Sequence, residues 1–439
     1  MRSMDASAHF RGKKITLMRI GLLGRGVQDA AFLAKCGADV LVVDDAPQEV
    51  MQPSVDALKE FKNIKFKFGK YDLSDFRNCD MVLKGAGAAL DSPEIAEAKK
   101  NNIPVRMSAD LFAEISGVGC IGVTGTRGKS TVAHMIFAIL KEAGEKVLLG
   151  GNVRGVSTLA LLNEVTPEHI AVLELDSWQL QGFGEAKISP HIAVFTTLYP
   201  DHLNYYKDHP EMYLADKANI FLYQKPSDTL ILGKQCAPTI IEKYGGQIES
   251  KVMIADELKL PDTWTLCIPG QHNRYDAALA LAAARALGVD DSTSRKALES
   301  FAGVPGRLEL IAEKNGVKIY NDTTSTTPEA TLAALAALGT EHTIIIAGGT
   351  DKNLELDTLT ARLKETKRVI LLAGNGTDRI KNQLPGASIY GSIADAVTDA
   401  FAHAKSGDTI LFSPAFTSFG MFKNEYDRGD QFVELVKKL

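Results

Sequence analysis

The chain has 439 residues, 45% of them hydrophobic, 23% charged and 7% aromatic. That is the composition of a soluble globular protein too long for one core, and at about 100–200 residues per domain it calls for two to four units. Forty-nine basic against 54 acidic side chains leave a net charge of −5, which offers no broad electrostatic footprint for a nucleic acid, so none is expected as a partner. No run approaches the about 18 apolar residues that cross a bilayer. Ile15–Leu23 is interrupted by Arg19 and followed by no small-residue cleavage site, so neither a membrane association nor a secretory signal is expected. The cysteines, Cys36, Cys79, Cys120, Cys236 and Cys267, are odd in number and never form a CxxC pair. They read as reduced core residues of a cytoplasmic protein, not as a disulfide framework or a zinc site.

In chain order, strands alternate with amphipathic helices. Ile15–Leu23 leads through Gly24 and Gly26 into a helix ending near Gly37, and strands follow at Asp39–Val43, Ile64–Phe68, Met81–Leu83 and Pro104–Met107. Cys120–Val123 opens a second series with a helix from about Lys129 to Ala143, then strands at Val147–Leu149, Ile170–Leu175, Ile192–Thr197 and Thr229–Leu232. Helices at Asn273–Leu287 and Thr293–Phe301 precede Gly303-Val304-Pro305-Gly306-Arg307, where both periodicities break and a linker is expected. A hairpin follows, Leu308–Ala312 and Val317–Tyr320 around Asn315-Gly316, then strands at Thr343–Ala347, Arg368–Leu372, Ser388–Tyr390 and Thr409–Phe412. This alternation predicts an α/β protein of three tandem domains over 1–115, 116–302 and 303–439. The first and third would be Rossmann-like and the central one a P-loop mononucleotide-binding sheet.

Gly125-Thr126-Arg127-Gly128-Lys129-Ser130-Thr131 lies between a strand and a helix. Glycines there let backbone N–H groups approach phosphates at a helix N-terminus, Lys129 would reach the β- and γ-phosphates, and Ser130 would ligate Mg²⁺. Val123 stands where the strict pattern has glycine, so Gly125 supplies the early one. ATP is the expected nucleotide. The earlier turn, Gly21 to Gly26, has Asp44 about 20 residues on, where Rossmann units place a ribose-binding acid. A dinucleotide or a nucleotide-diphosphate substrate would suit it equally.

Further stretches recur in the same order as in a known family. They are Thr124 to Ser130, Gly151-Asn152-Val153, a strand ending Leu173-Glu174-Leu175, Asp201-His202-Leu203, Lys217 within Ala215–Ile220, Gly270-Gln271-His272-Asn273, Arg307 with Asn321-Asp322, and Ser413 to Ser418 with Phe422-Lys423-Asn424 and Arg428–Phe432. Together these resemble the Mur ligases, ATP-dependent amide-forming enzymes of peptidoglycan synthesis, along almost the whole chain. The resemblance is nearest to the branch that adds D-glutamate to UDP-N-acetylmuramoyl-L-alanine through an acyl phosphate. It implies catalytic roles for Lys129, Glu174, His202, Lys217 and Lys352. Gly125, Thr126, Gly128, Lys129, Ser130, Thr131, Asn273, Arg307 and Asp322 would bind ATP. Gly24, Arg25, Asp44, Lys84, Gly85 and Asn152 would bind the UDP-substrate, and Thr326 and Ser418 the amino acid. Two Mg²⁺ ions would be held by Ser130, Glu174, His202 and a carbamylated Lys217. The partners implied are small molecules, the enzyme a cytoplasmic monomer. The linker at Gly303–Arg307 would let the third domain swing.

Taken singly, Lys217 reads as a surface lysine, Trp178 as packing, and Asp201 as a cap or an orienting group for His202. Departures from the family pattern fall in the acceptor region. Thr324 stands where a lysine is expected and Glu425 where an aromatic is common. Arg428 or Lys423 would have to replace the missing cation, or the acceptor would be L-glutamate or another amino acid. Lys84-Gly85-Ala86 replaces a Ser-Pro-Gly turn, Arg25 replaces a small polar residue, and Asp276 replaces an asparagine.

Overall fold

Strand segments with apolar residues on both faces must be covered on both sides, and the chain meets that demand with three mostly parallel sheets. The computed structural model describes residues 6–21, 24–202, 205–351, 354–418 and 420–438. The chain falls into two compact units, 1–261 with 275–297, and 262–274 with 298–439.

The first unit holds two sheets. One is built from β1 Lys14–Met18, β2 Asp39–Asp44, β3 Ile64–Phe68, β4 Met81–Lys84 and β5 Val105–Arg106, in the order β3-β2-β1-β4-β5. Alternate residues of β1 face opposite layers: Ile15 and Leu17 pack with Phe32 and Leu33, Met18 with Phe76 and Ile95. The other sheet comprises β6 Gly119–Thr124, β7 Lys146–Gly151, β8 His169–Glu174, β9 Ile192–Phe195, β10 Thr229–Gly233 and β11 Lys251–Ala255, in the order β11-β10-β9-β6-β8-β7. All pairings in both sheets are parallel. In each sheet the chain reverses its direction of winding beside the first strand, so β1 and β6 both end at a switch point, where loops diverge and leave a crevice.

The second unit carries β12 Glu309–Lys314, β13 Val317–Asn321, β14 Thr343–Gly348, β15 Arg368–Leu372, β16 Ser388–Tyr390 and β17 Thr409–Phe412, in the order β12-β13-β17-β14-β15-β16. Only β12 runs antiparallel, through the expected hairpin. Ile345, Leu371 and Leu411 face one layer, Ile344, Ile370 and Ile410 the other.

Several expectations shift. Strand β1 stops at Met18 because Arg19 adopts a left-handed φ of 61°. Strand β9 stops at Phe195, since Thr196 and Thr197 turn away to grip the phosphate loop. Strand β11 was not anticipated. Cys267 is exposed, unlike the other four cysteines, so it is not a core residue. No helix among the described residues is long and apolar enough to cross a membrane.

Candidate active site

The phosphate loop leaves β6 after Thr124, whose hydroxyl donates to the Leu175 carbonyl at 2.7 Å and so anchors the strand end. Gly128, at φ 85° and ψ −13°, precedes the helix Lys129–Glu142, and a helix N-terminus favours an anion. Gly125 sits at φ 139°, and a Cβ there would come within 2.0 Å of the Thr196 hydroxyl. Only glycine fits. The loop is fixed from β9's end: Thr126 N–H donates to the Thr197 carbonyl at 2.7 Å and Arg127 N–H to the Thr197 hydroxyl at 2.9 Å. Thr126 itself is buried, with its hydroxyl donating to Tyr199 O at 3.1 Å and lying 3.2 Å from the Tyr213 hydroxyl, so it shapes the loop. The Lys129 ammonium donates to Thr126 O at 3.1 Å, and Ser130 is buried in the first helical turn. Sequence reasoning missed one neighbour. The Asp276 carboxylate stands so close that a Cβ on Gly128 would meet it at 2.4 Å; the departure from asparagine was the available signal.

Glu174, His202 and Lys217, three more of the expected catalytic groups, lie in the same unit. Glu174 ends β8 opposite Val123 of β6 and Gly151 of β7. The residue is 3% exposed. The Glu174 carbonyl accepts from Asn152 N–H at 2.7 Å, and Gly151 is obligatory because a Cβ there would meet that carbonyl at 2.0 Å. His202 takes φ 53°, donates its N–H to Asp201 Oδ1 at 3.0 Å and lies with its ring 4.6 Å from that of Trp178. Trp178 thus packs beside the histidine, and Asp201 Oδ2 lies 3.9 Å from His202 Nε2. Burial lowers the His202 pKa, with Lys129 and Lys217 adding to the effect against Asp201, which keeps the imidazole neutral and able to ligate.

Lys217 overturns its isolated reading as a surface residue. It is 1% exposed, donates to the Gly125 carbonyl at 2.8 Å and the Thr124 hydroxyl at 3.2 Å, and lies 4.8 Å from the Tyr213 ring centre. Burial first, and Lys129 second, push its pKa well below the usual lysine range. The shift favours the neutral amine over the ammonium at the base of the phosphate loop. Among the described residues no trio of His, Cys, Asp and Glu is placed to hold a metal. The chemistry of the Glu174 carboxylate, on a residue only 3% exposed, fits a hard cation.

In the same unit, a cleft of about 490 Å³ opens at the switch point of the first sheet. Arg25, Asp44, Lys84 and Gly85 line it, with Gly151 and Gln179 from the second sheet's side. Gly24, at φ 82°, starts the helix Arg25–Lys35. Arg25 Nη1 donates to Asn152 Oδ1 at 2.7 Å, linking the two sheets' loops across the cleft. A Cβ on Gly85 would sit 2.3 Å from the Arg19 carbonyl. Lys84 is buried and donates to the Ala88 carbonyl at 2.7 Å. Burial lowers its pKa to about 8, with Asp176 and Asp216 opposing and Arg19 adding to the fall.

In the second unit, Asn273 donates to Pro269 O at 2.6 Å and Arg307 is exposed after the linker. Asp322 is buried and already accepts from Leu308 N–H at 2.9 Å, Ser325 at 2.5 Å and Ser413 at 2.7 Å. Thr326 is half-buried, and Ser418 buried with its carbonyl accepting from Phe422 N–H at 3.2 Å. Lys352 lies outside the described residues. Arg428 does not present its charge to a ligand. It is 0% exposed, and its guanidinium donates to Thr323 O at 2.7 Å, Phe416 O at 3.1 Å and the Thr323 hydroxyl at 3.2 Å. Thr324 gives its hydroxyl to Gly306 O at 2.9 Å. Lys423 is exposed and remains the cation nearest in sequence to the acceptor motif.

Residues 123–257 match the family described as Mur ligase middle domain, and residues 306–416 match the one described as Mur ligase, glutamate ligase domain. A protein of Roseiflexus sp. named "UDP-N-acetylmuramoylalanine--D-glutamate ligase" is 33% identical over 97% of this chain and 98% of its own. One of the same name from Streptococcus agalactiae is 34% identical over 99% of each. The chain belongs to the Mur ligase family. Among solved structures, the UDP-N-acetylmuramate-alanine ligase MurC of Thermotoga maritima matches with a TM-score of 0.61 at 18% identity, covering 97% of this chain and 99% of that one. MurF of the same organism, solved with ADP, gives 0.60 at 17%, covering 98% and 96%. At such identities these two share the fold: three α/β domains in tandem. In this Mur ligase the structure gathers Lys129, Ser130, His202 and Lys217 about one loop, with Glu174 one strand away, and puts Arg25, Asp44, Lys84 and Gly85 around one cleft.

Proposed function

We propose that this Mur ligase joins D-glutamate to UDP-N-acetylmuramoyl-L-alanine, converting ATP to ADP and phosphate, in cytoplasmic peptidoglycan precursor synthesis and hence in cell shape and division. The observation that carries the mechanism is the buried, low-pKa Lys217 bonded to the phosphate loop. The substrate carboxylate attacks the γ-phosphorus, ADP leaves, and the acyl phosphate is then attacked by the amine of glutamate. Phosphate departs, and the amine's proton passes to solvent. Such transfers rest on positioning and charge neutralisation. Residues 1–115 would bind the UDP part through Gly24, Arg25, Asp44, Lys84, Gly85 and Asn152. Residues 116–302 would hold the ATP phosphates through Gly125, Gly128, Lys129, Ser130 and Thr131, with Thr126 shaping the loop. Asn273, Arg307 and Asp322 would take the adenosine end; Thr326, Ser418 and Lys352 of residues 303–439 would face the incoming amino acid and transferred phosphoryl group. Lys217 takes up carbon dioxide and releases a proton, and its carbamate, with Ser130, Glu174 and His202, would hold two Mg²⁺ ions that neutralise the phosphoryl oxygens.

The test is mass spectrometry of the nucleotide product from ATP, UDP-N-acetylmuramoyl-L-alanine and D-glutamate, with the ligated dipeptide expected. Its absence under saturating substrates overturns the reading. Thr324, a hydroxyl engaged with Gly306 where a lysine would stand, favours a second reading in which L-glutamate or another amino acid is the acceptor.

Lys84 gives this reading a pH dependence. Its ammonium form attracts a diphosphate and is present below about pH 8, so UDP affinity should fall as pH rises through that value. Lys84→Met should flatten the profile. Titration calorimetry between pH 6.5 and 9 checks this, and a flat wild-type profile contradicts it.

A further inference from the structure

The loop that follows β7 is fastened along its whole length. At its base the Thr158 hydroxyl accepts from Gly151 N–H at 2.7 Å. Its far side is tied to the helix Arg25–Lys35 of the first sheet. Gln28 Nε2 donates to the Gly155 carbonyl at 2.9 Å, and Gln28 Oε1 accepts from Ser157 N–H at 3.0 Å. Beside it, Asp29 Oδ1 accepts from the Ser157 hydroxyl at 2.5 Å and from the Ser108 hydroxyl at 2.9 Å. Ser108 in turn accepts from Leu159 N–H at 2.9 Å, so residues 157–159 are gathered around one carboxylate. Asp29 is 8% exposed, and burial raises its pKa to about 6 against the Ser157 and Ser108 bonds and the charge of Arg25. Taking a carboxylate out of water costs free energy that hydroxyl bonds only partly offset. The group is therefore better explained by where it puts the loop than by stability.

What the loop carries shows why its place matters. Asn152 N–H donates to the Glu174 carbonyl at 2.7 Å, and Asn152 Oδ1 accepts from Arg25 Nη1 at 2.7 Å. The loop is thus a strut, with one foot on the strand end that bears Glu174 and the other on the helix that starts at the cleft. We infer that Asp29, acting through Ser157, is a positioning residue for ligation, setting the separation between the cleft and the end of β8. One substrate molecule must span the two, its nucleotide in the cleft and its carboxylate at the γ-phosphorus. An error of about 1 Å in such a separation can cost about 10²-fold in rate. This deepens, and rests on, the UDP-substrate ligase reading above. The phosphate loop does not depend on the strut, because Thr197 holds it from the end of β9.

The test gives the full chain ATP, UDP-N-acetylmuramoyl-L-alanine and whichever glutamate enantiomer wild type joins, and reads the folded fraction of each variant from its melting curve. Asp29→Ala should lower kcat about 10-fold or more while KM for ATP stays within about twofold. Asp29→Asn keeps the accepting oxygen and sheds the buried charge, so it should hold kcat within about threefold of wild type and raise the melting temperature. Ser157→Ala removes the donor without touching the helix. It should imitate Asp29→Ala, and the double variant should be no slower than either single one. An Asp29→Ala or Ser157→Ala enzyme whose kcat per folded molecule stays within about twofold of wild type overturns the assignment. So does a rate no better in Asp29→Asn than in Asp29→Ala, or independent addition of the two losses. Wild type that makes no amide with either enantiomer removes instead the ligase reading beneath it.

Discussion

Replacing Lys217 with methionine should lower amide formation by about 10²–10³-fold, while the protein folds and still binds ADP. Methionine keeps most of the buried volume and removes an amine that burial already disfavours in its charged form, so the melting temperature should hold or rise. What is lost in the proposed mechanism is the carbamate. A free ammonium at 2.8 Å from the Gly125 carbonyl would repel a metal beside the γ-phosphate, whereas a carbamate attracts it. Carbon-dioxide-depleted buffer should therefore slow the wild type, bicarbonate should restore it, and the variant should respond to neither. A methionine variant with near wild-type turnover would remove Lys217 from the mechanism.

Lys129→Met should cost a similar factor, about 10²–10³-fold in kcat/KM for ATP, by two routes. The first is direct loss of the cation on the β- and γ-phosphates. The second runs through Lys217: Lys129 is the main charge holding the Lys217 pKa down after burial itself. Without it, more Lys217 is protonated and less carbamate forms. Labelled bicarbonate followed by carbon-13 NMR should show a weaker carbamate signal in Lys129→Met than in wild type. Turnover within a few-fold of wild type would contradict the loop's role, and an unchanged carbamate signal would uncouple the two lysines.

Much of this was legible from residue order. Arg368–Leu372 and Thr409–Phe412 were read with their observed bounds, because both-face burial writes a largely apolar run, and Ile64–Phe68 because its apolar residues alternate with lysines. Strand β11 escaped, since Val252-Met253-Ile254 is short, carries no period and lies exposed at an edge. The phosphate loop was visible in its glycines, but the work of Thr126 was not, because its partners Tyr199 and Tyr213 are distant in sequence and reach it only through the sheet. The same holds for Lys217, whose burial depends on packing beneath β6 that no local spacing encodes. Arg428 shows the opposite limit. A cation in a signature segment looked available for the acceptor, and the structure instead spends its donors on Thr323 and Phe416, tying together the loops that carry Thr326 and Ser418. Arg19 was noticed only as an interruption of an apolar run; its left-handed backbone and its two loop partners appear only in three dimensions.

The acceptor decides the account most directly. With ATP and UDP-N-acetylmuramoyl-L-alanine saturating, phosphate release should be negligible alone, rise steeply with D-glutamate, and stay near background with L-glutamate. Release driven by L-glutamate, or by neither enantiomer, would contradict the D-glutamate assignment.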